Sequence, residues 1–374
     1  MRETVRESAA ESGLPHMVSP APLHTAAFVV DDHPLDTYLA CAALRPTQAI
    51  LIHPPDRADE AQRLRDVLTR RFATTAHCEE IGDNTHFPQA QALHARLPAN
   101  THVHHTGGDG SLASSLRAAH FIADRAPQDA SCLDEDRRLL RRDDGTDTPL
   151  ADLVPANAVT LEVLMDLQGF HRARPDTETQ AASHALLDAA GPPPWEQVAR
   201  LVDDGTTAVA VLRRHIEEAQ PRPNRFTRSH HLEVFLRGLF LEYLLSRLIT
   251  QAAPGHEVHT GVRLTRDAMS LELDVVAIGH YRPYVFSCTT GRTGKNAKAK
   301  AFEVLARARQ IGGQTARPGL LAALDTQSTP NARQVAHLST VDRDDTAEQV
   351  LVVELTSLAA AAVNGNVADL LLAH

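Results

Sequence analysis

The N-terminal third of the chain alternates between short apolar runs and helical patterns, and this alternation limits the possible fold more than any other feature. The run TAAFVV (25–30) precedes a helical pattern over 37–44, and AILIH (49–53) precedes another over 60–72. A third cycle spans 101–121, where THVHH leads through a glycine-rich turn into a helix. Because parallel strands need helical crossovers, the pattern predicts a doubly wound α/β sheet.

The C-terminal part of the chain has a different order. After the Pro-rich segment PRPNR (221–225), a long amphipathic helix is followed by the strand patterns VHTGVRL, LELDVVAIG and PYVFSCTTG. The helix KAKAFEVLARARQIGG then ends at a glycine stop. We predict four parts: a loose N-terminus (1–22), a first α/β domain (23–150), a helical connector (151–228) and a second α/β domain (229–374).

Composition and charge exclude several classes of protein. The net charge is −10, so a nucleic-acid contact requires a local basic patch rather than the field of the whole chain. No apolar run is long enough to span a membrane, and the N-terminus lacks the apolar core of a signal peptide, so we expect no membrane contact and a cytoplasmic protein. The four cysteines form no CxxC pair, which argues against a disulfide framework and a structural zinc site.

The lysines are confined to one place. Of the 37 Lys and Arg residues only three are lysine, and Lys295, Lys298 and Lys300 lie within six residues. Arginine cannot replace the compact, tunable ammonium of lysine, so we expect chemistry in this segment. The surrounding segment 282–317 is basic, with Glu303 as its one acid, and we predict that it contacts nucleic acid.

Acidic residues precede this lysine cluster. Glu242 lies on the predicted amphipathic helix, and Glu272 and Asp274 lie on the middle strand. Carboxylates that hold Mg²⁺ or Mn²⁺, with a lysine that steadies phosphate charge, are typical of metal-dependent phosphodiesterases. The alternative interpretation makes Asp274 a solvated strand end and Glu242 a residue on the helix surface.

Two polar turns follow strands of the predicted first sheet, one after the first strand and one in the third cycle. Since carboxyl ends of parallel strands meet at one edge, we expect a single polar pocket there, and its glycines allow backbone N–H groups to face a phosphate. Its predicted members are Asp31, Asp32, His33, Thr106, Gly107, Gly108, Asp109 and Ser111. Asp31 and Asp32 also fit a helix N-cap. Strand alternation predicts that His102 and His104 share one face, as ordinary structural histidines.

The order and spacing of these motifs resemble the CRISPR-associated ancillary nucleases, which join a CARF sensor domain to a PD-(D/E)xK nuclease. FLRGLFLEYLL, LELDVV, VFSCTTG and KAFEVLARARQIGG are similar to the nuclease, and HHTGGDGSLASSL and CLDEDRRLLRRDDG to the sensor's ligand loop and β-hairpin. The resemblance covers about residues 24–325. It implies a Rossmann-like sensor domain, a restriction-endonuclease-like second domain, a homodimer, and a cyclic oligoadenylate ligand, cyclic tetra-adenylate above all.

The chain departs from the family at decisive positions. The family's Glu-x-Lys motif reads Ser287 and Thr289 here, whereas Asp274, Glu242 and Glu272 match the family's acids. In the sensor, Asp109 follows the two glycines where the family has a lysine.

Two hypotheses about function follow from these departures. In the first, the missing amine has moved to Lys295 or Lys298, and the chain is a cyclic-oligoadenylate-responsive, metal-dependent nuclease with Mg²⁺ or Mn²⁺ on Asp274 and Glu242. In the second, the domain is a pseudo-nuclease that binds nucleic acid or regulates without cutting. Two further classes fit less of the chain: a helix-turn-helix regulator at 195–219, and an oxidoreductase, for which GxGxxG is absent.

Overall fold

The protein forms two α/β units, each built on one mixed sheet. The computed structural model describes residues 23–82, 87–107, 110–174, 177–201, 205–219, 235–290, 294–323 and 350–372. The predicted N-terminal segment and the predicted linker 221–225 lie outside these ranges. Within them, no helix combines the length and the apolar character that a membrane span requires.

The first unit contains a seven-stranded sheet. Its strands are β1 (Thr25–Val29), β2 (Gln48–His53), β3 (Thr75–Glu80), β4 (Thr101–His104), β5 (Ala130–Asp134), β6 (Leu139–Arg142) and β7 (Asp147–Pro149). Their spatial order is β3-β2-β1-β4-β5-β6-β7. The first five strands are parallel, and β5, β6 and β7 pair antiparallel, which confirms the predicted hairpin.

Helices cover both faces of this sheet, as the alternating pattern predicts. They are α1 (Leu35–Leu44), α2 (Ala58–Phe72), α3 (Phe87–Arg96) and α4 (Gly110–Ile122). Because successive strand residues point to opposite faces, Ala26 and Phe28 pack with α1 and α2, whereas Ala27 and Val29 pack with α3 and α4. The sheet is therefore doubly wound, with its βα turns at the carboxyl edge.

The second unit contains a six-stranded sheet. Its strands are β8 (His171–Arg172), β9 (Glu257–Arg266), β10 (Met269–Gly279), β11 (Arg282–Thr289), β12 (Arg317–Ala322) and β13 (Leu351–Glu354). The order is β13-β12-β11-β10-β9-β8, with β8 to β11 antiparallel and β11 to β13 parallel.

The remaining helices connect the units and cover the second sheet. They are α5 (Leu150–Leu153), α6 (Leu161–Gln168), α7 (Thr177–Ala190), α8 (Trp195–Ala199), α9 (Gly205–Glu218), α10 (Phe240–Ala252), α11 (Gly294–Gly312), α12 (Leu355–Asn364) and α13 (Val367–Leu372). A single π-helical turn, Phe235–Leu239, leads into α10. The predicted connector also contributes strand β8 to the second sheet. The sequence analysis did not predict this strand, because two residues are too few to show a recognisable pattern.

One hydrophobic core joins the two units. It contains residues from α1, α2 and α6, and continues into the second sheet and α11 through Val276, Val304 and Ile311. A second core lies on the opposite face of the second sheet, among α7 to α10, α12 and α13. The two units therefore share one packed interior rather than meeting across a solvated boundary.

The close pairing of β11 and β12 gives a test of this packing. Gly319 lies opposite Phe286 in the register, and a Cβ at residue 319 would lie 2.3 Å from the buried Phe286 ring. We expect Gly319→Ala to lower the free energy of unfolding by about 1–3 kcal/mol, because the ring has to move within a filled core. Urea denaturation measures this loss. Gly255→Ala is the matched control, since nothing lies within 4 Å of a Cβ there; an equal loss in both variants would contradict the packing argument.

Candidate functional site

The two polar turns of the first unit lie side by side. β1 and β4 are parallel neighbours, so the turns that follow them meet at the carboxyl edge of the sheet. Gly107 has φ +89°, and a Cβ there would lie 3.2 Å from Thr37 Oγ1 and 3.8 Å from Asp31 Oδ2. Only glycine accepts both this backbone conformation and this close approach without strain. The structure thus brings together the two turns in the way the sequence predicts.

Asp31 shapes the turn rather than capping α1. Its Oδ1 accepts a hydrogen bond from the backbone N–H of His33 at 2.8 Å, whereas α1 has Pro34 at its N-cap position and no side-chain cap. The N-capping interpretation of Asp31 is therefore wrong. Asp32 is exposed, and its Oδ2 lies 4.0 Å from Arg57 Nη2.

Arg57 is a cation that the sequence analysis missed. It ends a short 3₁₀ turn, Pro55–Arg57, after β2, and β2 neighbours β1, so this turn reaches the same sheet edge. Its guanidinium lies 4.0 Å from Asp32 Oδ2 and 3.8 Å from Asp56 Oδ2, so its charge is shared with two carboxylates. The position of Arg57 in the sequence could have indicated its place, because the turn after the second strand of a parallel sheet lies beside the turn after the first.

The other predicted pocket residues have varied positions. Thr106 Oγ1 accepts a hydrogen bond from the backbone N–H of Leu133 at 2.5 Å, which ties the loop to the β5–β6 hairpin. Ser111 lies exposed on the first turn of α4. Gly108 and Asp109 lie outside the described residues. His102 and His104 share one face, as predicted, and both contact Ser131 Oγ, at 2.7 and 3.0 Å.

A second polar group lies in the second sheet and centres on Asp274. The pairing of β10 with β9 is interrupted between Leu273↔Val262 and Val275↔Thr260, where Gly261 has φ +57°. The alternation of core residues shifts there: Leu273 packs into the first core and Val275 into the second. The irregular position turns β10 so that Asp274 lies among residues of α10 and β11.

Two donors from β11 hold the Asp274 carboxylate. Ser287 Oγ–H and the backbone N–H of Cys288 both donate to Oδ2, each at 2.8 Å. The position that matches the family's metal-binding glutamate is thus a hydrogen-bond donor that fixes Asp274. Thr289, the other altered position, ends β11.

Burial and the charges around Asp274 shift the pKa of Glu242, which lies on α10. Burial raises the pKa of Glu242 well above its ordinary value of 4.5, and the negative charges of Asp274 and Glu272 raise it further, while the charge of Lys300 lowers it. Burial also raises the pKa of the Cys288 thiol well above 9.0. Cys288 is therefore a neutral thiol at physiological pH, which argues against a thiolate nucleophile.

Lys300 is the amine whose charge acts on the Glu242 carboxyl. The positive charge of Lys300 lowers the pKa of Glu242 and of Cys288, and its Nζ lies 2.8 Å from Glu303 Oε2, one turn further along α11. Lys298 is exposed on another side of the helix, and the side chain of Lys295 lies outside the described residues. The charge of Lys300 lowers the pKa of Glu242, which makes Lys300 a further candidate for the migrated amine. The roles predicted for Lys295 and Lys298 stay predictions.

The oxygen donors present fit a weakly held divalent cation. Asp274 Oδ1 and the Glu242 carboxylate are hard ligands of the kind that Mg²⁺ and Mn²⁺ prefer, and substrate phosphates commonly complete such sites. Glu272 is half exposed and pairs with Arg263 at 3.2 Å. Within the described ranges no three His, Cys, Asp or Glu side chains are arranged to hold a metal. A preformed protein cage for the ion is thus absent from this part of the chain.

No protein-family model and no curated protein matches the sequence. Solved structures do match. Can2 from Sulfobacillus thermosulfidooxidans in complex with cyclic tetra-adenylate is 16 % identical, with TM-score 0.65 over 91 % of this chain and 98 % of that one. Protein VC1899 from Vibrio cholerae is 15 % identical, with TM-score 0.63 over 91 % and 97 %.

A third similar structure is a type III CRISPR defence DNA nuclease activated by cyclic oligoadenylate, 19 % identical, with TM-score 0.50 over 85 % of this chain and 47 % of that one. The chain therefore shares its fold with these structures, which confirms the two-unit α/β fold expected from the motifs.

The raised pKa of the Glu242 carboxyl predicts a pH-dependent stability. Because its pKa is raised in the folded state, the folded protein binds more protons than the unfolded chain above the ordinary carboxyl value of 4.5. The free energy of unfolding contributed by this group therefore falls as pH rises through that window. We expect Glu242→Gln to flatten the decline, measured by urea denaturation between about pH 5 and pH 8. Glu162→Gln on α6, whose side chain is 73 % exposed, is the control; the idea fails if both variants keep the wild-type slope.

Proposed function

We propose that the chain is a cyclic-oligoadenylate-responsive, metal-dependent nuclease of type III CRISPR defence, in which the amine of the catalytic set comes from α11. The observation that supports this function is that, beyond the effect of burial, the charges of Asp274 on β10 and Lys300 on α11 both act on the Glu242 carboxyl of α10 and shift its pKa. No two of these residues are neighbours in sequence, and a solvated strand end or helix surface would not bring them together. Each is a residue type that phosphodiester hydrolysis requires.

Asp274 and Glu242 would hold Mg²⁺ or Mn²⁺, which when bound lowers the pKa of water and withdraws charge from a phosphate. Ser287 keeps the Asp274 carboxylate oriented through its hydrogen bond to Oδ2, which leaves Oδ1 for the ion. Because a neutral hydroxyl replaces the family's glutamate, the ion loses one negative ligand. We therefore expect a requirement for Mn²⁺ or for a high Mg²⁺ concentration.

Lys300 would stabilise the charge that develops on the phosphate. In the described structure it pairs with Glu303, which also pairs with Arg307. Its side chain is 37 % exposed, so the ion pair is screened and costs on the order of 1 kcal/mol to exchange for a phosphate contact. The exposed cations of the basic segment 282–317 are the proposed surface for the nucleic-acid backbone. Arg282 is not among them, because it is 3 % exposed and donates to the Glu135 carbonyl oxygen.

A second function, binding of nucleic acid without cleavage, is favoured by one specific observation. Both donors on Asp274 use Oδ2, so Ser287 and Cys288 satisfy one oxygen of this carboxylate from within the protein. A carboxylate that is hydrogen-bonded within the protein in this way is stable in the fold without a catalytic role. The two functions differ in one measurable property, which is hydrolysis.

The sensor pocket at the edge of the first sheet is the proposed site for cyclic tetra-adenylate. Gly107 allows a close approach to the backbone, and Arg57 supplies a cation nearby. We propose a homodimer, since a cyclic ligand with two-fold symmetry fits two identical pockets better than one.

Cleavage assays with single-stranded and double-stranded DNA and RNA test the nuclease. We expect cleavage with Mn²⁺ and cyclic tetra-adenylate, and we expect Asp274→Ala and Lys300→Ala each to lower the rate at least about 100-fold, because each removes a group that acts on the reacting phosphate. Arg65→Ala, which removes an exposed cation on α2, is the charge-matched control.

The combined variant Ser287→Glu with Thr289→Lys separates the two functions. If the wild type is an altered nuclease, this variant cleaves faster and needs less metal. If only this variant cleaves, under every ligand and metal condition, the nuclease proposal is wrong and binding without cleavage is the function. Loss of activity in Lys298→Ala, with activity retained in Lys300→Ala, would assign the amine to Lys298.

The ligand pocket has its own test. Gly107→Ala places a methyl group 3.2 Å from Thr37 Oγ1 and forces a non-glycine residue to φ +89°. We expect it to weaken the binding of cyclic tetra-adenylate at least about tenfold by calorimetry, a change of roughly 1.4 kcal/mol. Gly110→Ala is the control, since nothing lies within 4 Å of a Cβ there. Equal affinities for the two variants would move the ligand elsewhere.

A further inference from the structure

Three side chains from distant parts of the chain meet beneath the ligand pocket. Thr315, directly after α11, has its Oγ1 3.0 Å from Asp36 Oδ1 on α1 and 3.0 Å from Glu135 Oε2 at the tip of the β5–β6 hairpin. Thr315 is 5 % exposed and Asp36 is 9 % exposed. Asp36 lies only three residues beyond His33, the last residue of the pocket turn.

Further contacts surround this group and tie the same elements together. A Cβ at Gly313 would lie 2.5 Å from His33 Cβ, so the pocket turn packs directly on the chain that leaves α11. Arg282 Nη2 donates to the Glu135 carbonyl oxygen at 2.9 Å, and Arg317 Nη2 lies 3.2 Å from Asp136 Oδ1. The pocket, the hairpin and the end of α11 therefore move together or lose these contacts.

In this group a single hydroxyl proton is placed between two carboxyl groups. The Thr315 hydroxyl has one proton and lies between two carboxyl groups, so it can satisfy only one of them. Burial and the adjacent charge of Glu135 raise the pKa of Asp36 well above its ordinary value, and the charge of Asp31 raises it further. The charged and titratable groups around Asp36 are Asp31 and His33 on the pocket turn, Glu135 and Asp136 on the hairpin, Arg282 on β11 and Arg317 on β12.

We propose that Thr315, Asp36 and Glu135 form the contact through which occupation of the ligand pocket reaches α11, and that this contact takes up a proton when an anionic ligand binds. The inference rests on the proposed sensor function and adds how the second site is regulated. Ligand phosphates beside Asp31 place negative charge near Asp36. This charge favours the protonated form of the Asp36 carboxyl, so binding draws a proton from solution.

The same contact reaches the candidate catalytic amine through α11. Lys300 lies 12 residues before the end of α11 at Gly312, about 18 Å along a continuous helix. Because α11 packs into the shared core through Val304, Ala308 and Ile311, a shift at Thr315 is transmitted along a packed helix. Thr315 and Asp36 are positioning residues in this proposal, since neither lies near Glu242 or Asp274.

Calorimetric titration of the full chain with cyclic tetra-adenylate tests the proton uptake. At several pH values between about 6 and 9, in buffers of different ionisation enthalpy, we expect the wild type to take up protons and to lose affinity as pH rises. Asp36→Asn carries a permanent neutral group, so we expect its affinity to become independent of pH in the upper half of this range.

Hydrogen exchange over 300–315 tests the transmission without relying on cleavage. We expect ligand-induced protection in the wild type and in Thr315→Ser, which keeps the hydroxyl, and its loss in Thr315→Val, with ligand affinity within about threefold of wild type. Thr74→Val is the matched control, since Thr74 is also buried and its hydroxyl donates to Pro46 O at 2.9 Å, away from the contact.

The outcomes separate this inference from the proposed function. Binding without proton uptake, or full protection of 300–315 in Thr315→Val, overturns the inference and leaves the sensor intact. Absence of any ligand binding to the wild type overturns both.

Discussion

The hydrophobic core shared by the two sheets is the constraint on which the rest of the structure depends. One face of the first sheet, through Phe28 and the helices α1 and α2, packs into the same interior as Val276, Val304 and Ile311 of the second unit. Protein interiors are close-packed and have few alternative arrangements, so a displacement of α1 has to be matched by α6 or α11. A chain built this way does not need a flexible linker to carry a signal between its units.

The candidate catalytic group shows how much of a site survives when two of its positions change. Ser287 replaces a ligand by a donor, and the donor then holds Asp274 in place. The irregular pairing at Gly261 still turns Asp274 toward α10, and Glu242 still meets it there. In the proposed site the balance of charge differs, because the acids are retained while the ammonium would come from α11 rather than from β11.

The sequence was sufficient for the order of elements and for the two polar turns. Alternation of β-branched runs and helical patterns is a local signal, and parallel strands place their carboxyl ends at one edge without further information. The choice of amine was beyond it, because Lys298 and Lys300 differ by 200° around a helix whose orientation depends on packing. The contact of Thr315 with Asp36 joins residues 279 apart in sequence, and no local pattern encodes it. Strand β8 was not predicted because it is too short: two residues cannot show the alternation that identifies a strand.

The restriction of lysine to residues 295–300 has a practical consequence for the chemistry of the whole chain. Side-chain amines occur nowhere else in the sequence, so a reagent that acylates amines modifies this segment and the N-terminal amino group alone. Lys300 is shielded by its ion pair with Glu303, while Lys298 is open to solvent, so the two should acylate at different rates. The acylation rate of Lys300 therefore measures how often its ion pair with Glu303 opens, and no label has to be introduced into the protein for this measurement.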